Sequence, residues 1–472
     1  MSLSRGGRSL WLGAALAAAC AAPVLGASLD VTSSYRLEAE SYKNLNLDAS
    51  DHNDHSFMEN DARLGVAVRK IALETRGGEE STLDVALTLH ALGLSHSTGT
   101  LAAPFDRAAR YYPSTDLTPF IENAYLRVHN LFGKPVEATF GRQNFRLGGG
   151  LLLDDDGAGL TGVTIKGELP WWSMQLEGFV FNDKNPNPNV SSQSSLDLFG
   201  FSLALPTDGV WQLNELVERD HTGQTIYGCS FVDVNGATQN CAVSKAVRSF
   251  TSARYQLNYG PMVFEGEAAI EKGAATPTGS AIAGGQIVTA PNHITYSGDA
   301  EVVRAKWKQH LYKTGEGIAR ISVAHGSGDR GDTPTRDEAF FPSHGHRFNG
   351  LDRDGFGQFF GATPYDAFGG NYSTSTVNGL KQGASGITAV GAGYTPPAYK
   401  GVVLDVDYFL FQADRVNGGS RTLGSEWDAR LRYNVLDHLA LSFSGAWFTA
   451  GTASNPARGA SKRYAFEAVG RF

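Results

Sequence analysis

Basic side chains recur inside segments in which apolar and polar residues alternate, and they are the chain's clearest candidates for chemistry. The candidates on the polar side of the alternation are Arg36, Arg63, Arg254, Arg304, Lys306, Arg320, Arg430 and Arg432. A ring of fixed positive charge around a narrow, low-dielectric passage attracts anions, because field lines are focused there. The alternative is that these charges are solvated, or form cross-strand ion pairs that stiffen a wall.

Arg142, in Gly141-Arg142-Gln143, is a further candidate for the same role. Strict alternation would turn its side chain to the apolar face of its segment. For Arg142 to line a passage, it must therefore lie at the rim or beyond a β-bulge.

Cys229 and Cys241 lie in one polar loop, and the third cysteine, Cys20, falls in a predicted export signal. Once the signal is removed, the two remaining cysteines are expected to form a structural disulfide in an oxidising compartment. Two free thiols are the alternative.

Two acidic loops are candidates for metal binding, because carboxylates and imidazoles ligate calcium and transition metals. They contain Asp154, Asp155 and Asp156, and Asp329, Asp332, Asp337, His344 and His346. Their spacing matches neither an EF-hand nor a zinc motif, so we interpret them as solvated loop acids and expect no metal and no cofactor.

Catalysis is not predicted. His90, His129 and His310 occur singly, without a Gly-x-Ser-x-Gly motif nearby. The absence of a Cys-x-x-Cys-His motif also argues against a c-type haem on this chain. An adhesin or a barrel that sheathes a cytochrome remains a further alternative.

The hairpin at Glu122–Gly157 shows which elements position these residues. Ala124, Leu126 and Val128 alternate with Tyr125, Arg127 and His129, which is the period-2 pattern of a strand with one apolar face. The rest of the chain repeats this unit, giving about 18 strands of roughly ten residues, the length that a tilted strand needs to cross a bilayer. Short and long connections alternate, which a soluble β-sandwich has no reason to show.

The sequence therefore predicts an all-β fold, a closed antiparallel transmembrane β-barrel with short periplasmic turns and long extracellular loops. Residues 1–27 have the basic start, short apolar core and small residues of a signal peptide, and residues 28–472 form the barrel domain. A closed barrel is the membrane structure compatible with a mature chain that lacks a run of about twenty apolar residues. The expected location is the outer membrane of a Gram-negative bacterium, in contact with lipid and lipopolysaccharide. The net charge of -8 argues against a nucleic-acid partner.

The longest loop, residues 326–376, is rich in phenylalanine, and fully solvated loops rarely expose so many. Its phenylalanines are Phe340, Phe341, Phe348, Phe356, Phe359, Phe360 and Phe368. We expect the loop to fold into or over the barrel mouth, pack these rings against the wall and narrow the pore. Packing against neighbouring loops outside the lumen is the alternative.

Three stretches resemble the alginate-export family of outer-membrane channels. They are ENAYLRVHN with PVEATFGRQ, the loop segment FFPSHGHRFNGLDR, and the late strand LGSEWDARLRYNV. The resemblance implies an 18-stranded monomeric barrel whose arginine-lined pore attracts a polyuronate, and periplasmic export proteins as partners. Arg142, Arg430 and Arg432 lie in the matching stretches.

The expected function is passage of an anionic polysaccharide or small anionic solute. An acidic stripe of Glu265, Glu267, Glu271, Asp405 and Asp407 also falls on the polar side of the strands, and a polyanion would have to avoid it. A general or cation-tolerant porin with unrelated small-solute cargo is therefore the alternative.

The disulfide can be tested directly. Mass spectrometry of protein digested without reduction should find the peptides of Cys229 and Cys241 linked, because both thiols pass through the oxidising periplasm. Alkylation of both thiols in unreduced protein would contradict the pairing. Breaking the bond should change the protease sensitivity of the loop more than the stability of the barrel.

Overall fold

The structure is a computed structural model that describes most of the chain. The described residues are 26–44, 54–76, 79–95, 117–155, 157, 159–169, 173–184, 195–221, 229–232, 238–278, 280–283, 286–289, 293–311, 315–330, 333, 335–343, 356–358, 379–380, 384–416, 418–455 and 459–472. Residues 1–25 of the predicted signal peptide lie outside them, so this boundary stays a prediction.

The chain folds into one closed antiparallel barrel of 18 strands. The strands are β1 Ser28–Lys43, β2 His55–Arg76, β3 Glu79–Ser95, β4 Thr118–His129, β5 Val136–Gln143, β6 Leu160–Leu169, β7 Met174–Lys184, β8 Ser195–Pro206, β9 Val210–Asp220, β10 Thr238–Tyr259, β11 Met262–Thr278, β12 Asp299–Leu311, β13 Gly315–Gly326, β14 Ala384–Thr395, β15 Val402–Val416, β16 Thr422–Leu436, β17 Leu439–Ala450 and β18 Ala460–Arg471. The predicted fold class is confirmed.

The first and last strands close the barrel. β1 pairs along its length with β2 and, on its other edge, with β18, from Ser34 opposite Arg471 to Lys43 opposite Lys462. Closure leaves no sheet edge, which is what a strand structure needs in lipid, where no water can satisfy a free backbone group.

Side chains alternate between lipid and lumen along every barrel strand, and β16 shows the pattern clearly. Trp427 and Leu431 are 54% and 45% exposed on the outer surface, whereas Glu426 and Asp428, on either side of Trp427, are buried inside. The period of a strand is two residues, so an apolar outer band and a charged inner wall come from the same segment.

Short and long connections are segregated to opposite ends of the barrel, as predicted. Tyr259 and Met262 are joined by a two-residue turn, and Leu436 and Leu439 by another, at the end that also holds both termini. Exposed Tyr259 and Tyr433 lie near this end, as expected for an aromatic girdle. Among the described residues, no helix is long and apolar enough to cross a membrane.

Candidate permeation pathway

The lumen is filled in part by the connection between β5 and β6, which we call the inner loop, Asn144–Gly159. Its four leucines are almost completely buried inside the barrel: Leu147, Leu151, Leu152 and Leu153. They belong to one apolar cluster with inward-facing residues of β7, β8 and β9: Phe179, Phe181, Leu198 and Leu216. Phe145 packs between Phe179 and Phe181, with ring centroids 4.7 and 4.8 Å away. The sequence predicted a loop here and interpreted only its acids, because the leucines form a run without strand or helix periodicity.

Backbone hydrogen bonds fix the inner loop to the wall. The amide of Gly149 donates to Glu267 Oε2 on β11 at 2.7 Å. Gly148 has a φ of +61°, and a Cβ there would lie 2.7 Å from Asn214 Nδ2. Glycine is required here because the chain both takes a left-handed conformation and touches the wall.

Asp155 closes the inner loop on itself. Its carboxylate accepts the amide of Phe145 at 2.9 Å and that of Gly159 at 2.7 Å. Burial raises the pKa of Asp155 to about 6, and the nearby carboxylates of Asp154 and Glu122 act in the same direction.

The expectation of solvated loop acids is wrong for Asp155, Asp329 and Asp337. All three are buried, and Asp329 and Asp337 accept backbone amides of Glu338 and Ala339 at 3.2 and 2.9 Å. Loop amides that leave water need such acceptors. Asp154 instead forms a 3.2 Å ion pair with Arg146. Asp156, Asp332, His344 and His346 lie outside the described residues.

The described parts of the long loop also lie against the inner wall. The amide of Phe341 donates to Glu271 at 2.9 Å, and Arg248 donates to the carbonyl of Phe341 at 2.7 Å. The ring of Phe340 meets that of Phe250 edge to face, 6.3 Å between centroids.

Arg248 is the centre of this anchor and is fully buried. Its guanidinium makes a fork to both carboxylate oxygens of Glu218, at 2.9 and 3.0 Å, and a 2.9 Å bond to Glu271. Removing one partner from a buried network of this kind typically costs about 3–5 kcal/mol, because a charge is left uncompensated.

A second part of the long loop, Phe356–Gln358, contacts β12, β16 and β18. The Phe356 ring lies under Arg304 of β12, 5.7 Å from the guanidinium carbon. The amide of Gln358 donates to Glu426 of β16 at 2.7 Å, and its side chain accepts a hydrogen bond from Arg463 of β18. For Phe340, Phe341 and Phe356, packing against the wall is therefore confirmed. Phe348, Phe359, Phe360 and Phe368 lie outside the described residues, and narrowing of the pore stays a prediction.

The predicted pore-lining basic residues of the first strands face the lumen in ion pairs. Arg36 contacts Glu59, Glu38 at 2.7 Å and Glu467 at 3.5 Å. Arg63 contacts Glu122 at 3.1 Å and Asp61 at 3.5 Å.

The same holds for several residues of the later strands. Arg254 makes two bonds to Glu265, at 2.8 and 2.9 Å. Arg320 forms a fork with Asp407, with contacts of 2.9 and 3.0 Å. Lys306 lies opposite Arg320 in the β12–β13 register.

Three guanidiniums converge on Asp405. Arg432 lies 3.0 Å from its carboxylate, Arg430 3.5 Å and Arg320 3.6 Å. Arg320, Arg430 and Arg432, which the sequence predicted to face the lumen, thus surround Asp405 of the predicted acidic stripe.

Arg142 is the exception, and its assignment to the pore is wrong. It follows outward-facing Phe140 by two residues, lies opposite Thr161 and donates to the carbonyl of Ile121 at 2.8 Å. Gln143, the next residue, is the one that turns inward and bonds Thr164. No bulge intervenes to reverse the alternation, so the side chain stays on the outer face.

Two inward arginines were missed by sequence reasoning. Arg463 bonds Glu40 at 2.8 Å and Glu38 at 2.6 Å, and its position before outward-facing Tyr464 could have revealed it. Arg248 sits between Val247 and Ser249, where alternation in the sequence is weak, and only the fold shows its direction.

His90 lies in the lumen between two acids, 2.9 Å from both Asp61 and Glu122. A register shift between β3 and β4 turns Glu122 inward to meet it. Both ring nitrogens of His90 thus contact carboxylates.

The two cysteines occupy opposite positions in the register of a strand pair. The short strand Cys229–Val232 pairs with β10, and Cys229 lies directly opposite Cys241. Residues directly opposite in an antiparallel pair have Cα separations of about 4.5–5.5 Å, within the range that a disulfide bridges. The bond itself stays a prediction.

Comparison with known proteins identifies the fold. No protein-family model matches this sequence, and no curated protein matches it. Among solved structures, OccAB1 of Acinetobacter baumannii is similar over 94% of this chain and 96% of its own, with a TM-score of 0.51 and 8% identity. A BenF-like porin from Pseudomonas fluorescens Pf-5 is similar over 94% and 99%, with a TM-score of 0.50 and 11% identity.

This chain is an outer-membrane β-barrel. Its closed strands and apolar outer band fit a Gram-negative outer membrane, with the long loops outside the cell. The resemblance to the alginate-export family gains no support from these comparisons. At such low identity, the likeness to the two solved structures shows the fold alone.

Shortening the inner loop should open the barrel. Replacing residues 146–153 with two glycines removes the buried leucines, so the single-channel conductance in planar bilayers should rise. Heat-modifiable gel migration would show that the variant still forms a barrel. An unchanged conductance in a folded variant would mean that the inner loop does not restrict the path.

The inner loop should also respond to pH through Asp155. A folded pKa of about 6, against an ordinary value of 3.8, means that the folded loop favours the protonated carboxyl. The resulting stabilisation is present below about pH 4 and lost as the pH rises through about 6. Amide exchange of residues 144–155, corrected for its intrinsic pH dependence, should therefore show weaker protection at pH 7 than at pH 4. Asp155→Asn should abolish the difference, and an equal pH dependence in that variant would refute the assignment.

Proposed function

We propose that the protein is a porin for the passive diffusion of small hydrophilic solutes, and that its lumen favours cations over anions. This corresponds to the general or cation-tolerant porin, not to the anion channel that the arginines first suggested. The folds of OccAB1 and of the BenF-like porin support a channel of this architecture, but they carry no information on cargo.

The proposed preference for cations rests on one observation. Several inward-facing arginines each have two acidic side chains beside them. Arg248 lies between Glu218 and Glu271, and Arg463 contacts both Glu38 and Glu40. Arg36 likewise has Glu59 and Glu467 beside it. A guanidinium compensated twice offers no net positive field to an anion, and a pore wall with surplus carboxylate attracts cations.

Further buried carboxylates face the lumen beside these pairs. Glu267 accepts the Gly149 amide and the Ser252 hydroxyl, at 2.7 and 2.8 Å. Glu426 accepts the amide of Gln358, and Asp428 is buried beside it. These acids lie where the inner loop and the long loop meet the wall.

Export of a polyuronate, as the sequence resemblance implies, rests on a single site. Three guanidiniums lie around Asp405 and Asp407, giving one locally basic surface on β13, β15 and β16. If the protein exports a polyuronate, periplasmic export proteins would be its partners. The export proposal also includes a monomeric barrel.

The reversal potential across a planar bilayer with a KCl gradient distinguishes the two functions. We expect K⁺ to be more permeant than Cl⁻, and Glu467→Gln to reduce the ratio because it removes one of the lumenal carboxylates beside Arg36. Glu215→Gln is a matched control, since Glu215 lies on the outer face and accepts a hydrogen bond from Thr251 at 2.6 Å. A Cl⁻-selective channel blocked by mannuronate oligomers, with block lost in an Arg430→Gln, Arg432→Gln variant, would establish the polyuronate path instead.

A further inference from the structure

A cluster of three potential metal ligands lies at the long-loop end of β12 and β13, on the outer face of the barrel. Asp299, Glu301 and His325 each direct one ligand atom to a common point, and these atoms lie within 4.8 Å of one another. Glu301 is directly opposite His325 in the strand register. None of the three residues belongs to the lumen or to the acidic loops considered from the sequence.

The alternation of the two strands places this cluster outside. Val303 and Val323, two residues from Glu301 and His325, are exposed on the lipid-facing surface. Ala300, Val302 and Ala324, between them in sequence, are buried on the lumenal side. The cluster therefore faces the boundary between the apolar band and the extracellular headgroup region.

The two carboxylates have no competing partner in the described part of the chain. The structure gives neither the side chain of Asp299 nor that of Glu301 a hydrogen bond or an ion pair with another described residue. Two adjacent carboxylates repel each other, so a bound cation would relieve this cost.

The imidazole is already oriented for ligation. His325 Nδ1 lies 3.0 Å from Thr388 Oγ1 on β14, which leaves Nε2 for a metal. Such outer-shell hydrogen bonds fix the ring and tautomer of metal-ligating histidines. The backbone is fixed as well, because the amide of Ser327 donates to the carbonyl of Asp299 at 2.8 Å.

We propose that Asp299, Glu301 and His325 form a site for a divalent transition metal, with Zn²⁺ as the best match. One imidazole and two carboxylates suit Zn²⁺, whereas Ca²⁺ and Mg²⁺ prefer oxygen ligands throughout. Three protein ligands leave a fourth position open to water or to an anionic headgroup. Zinc ligands about 2.0–2.2 Å from a tetrahedral centre lie roughly 3.4 Å apart, so small side-chain rotations complete the site.

A metal at this site would link β12 to β13 next to the point where the long loop begins. Asp299 begins β12, and His325 precedes Gly326, the last residue of β13. The site would therefore hold the stem of the long loop, independently of which solute passes through the lumen.

Calorimetric titration of ZnCl₂ into the chelator-treated, folded barrel in detergent tests the site. We expect one Zn²⁺ per chain, with binding lost in His325→Ala and Glu301→Gln. Thr388→Ala should weaken binding by about tenfold, because the imidazole loses its orienting partner, and Thr388→Ser should restore it. MgCl₂ and CaCl₂ should give no comparable binding.

His310 offers a matched control, since it is exposed at the short-turn end with a single acid, Glu316, 3.8 Å away. His310→Ala should bind Zn²⁺ as the unmodified barrel does. Full binding in His325→Ala and Glu301→Gln would mean an adventitious ion only and would overturn the proposal. Equal binding of Ca²⁺ with the same dependence on Glu301 would overturn the assignment to a transition metal.

Discussion

The closed hydrogen-bond ladder is the constraint on which the rest of this structure depends. In lipid, a backbone amide or carbonyl without a partner costs several kcal/mol, so the strands must pair all the way round. β1 meets both β2 and β18, and no edge remains. Closure then divides each strand into a lipid-facing and a lumenal set, and polar residues are tolerated inside because the interior is shielded from lipid.

Charges gathered on one inner wall must compensate each other. The wall meets this requirement with cross-strand ion pairs, such as Arg320 with Asp407 and Arg254 with Glu265. Cross-strand neighbours lie about 5 Å apart, which suits a salt bridge between long side chains. The number of arginines on the wall is therefore a poor guide to ion selectivity. A solute in the lumen experiences the net charge that remains after the arginines and acids have paired.

Two inward segments occupy part of the lumen. The inner loop brings leucines to the phenylalanines of β7, and the long loop brings Phe340 and Phe356 to the same apolar cluster. Apolar packing holds these segments in place, while Glu267, Glu271 and Glu426 accept their backbone amides. The acids thus serve both as anchors for the loops and as lumenal charge, which links the shape of the path to its electrostatics.

Alternation in the sequence determined the strands, their inward and outward faces and the sorting of short and long connections, because a period of two is a local property of the chain. It correctly predicted that Arg430 and Arg432 face inward, and strict alternation placed Arg142 on the outer face.

The tertiary structure decided which acid each arginine contacts. Arg248 and Glu218, or Arg463 and Glu38, are far apart in sequence and meet only through strand register and barrel closure. It also decided that the leucine run of the inner loop enters the lumen, because such a run has no periodicity of its own and is placed by the apolar wall it contacts. The cluster of Asp299, Glu301 and His325 depends in the same way on register, which no local pattern encodes.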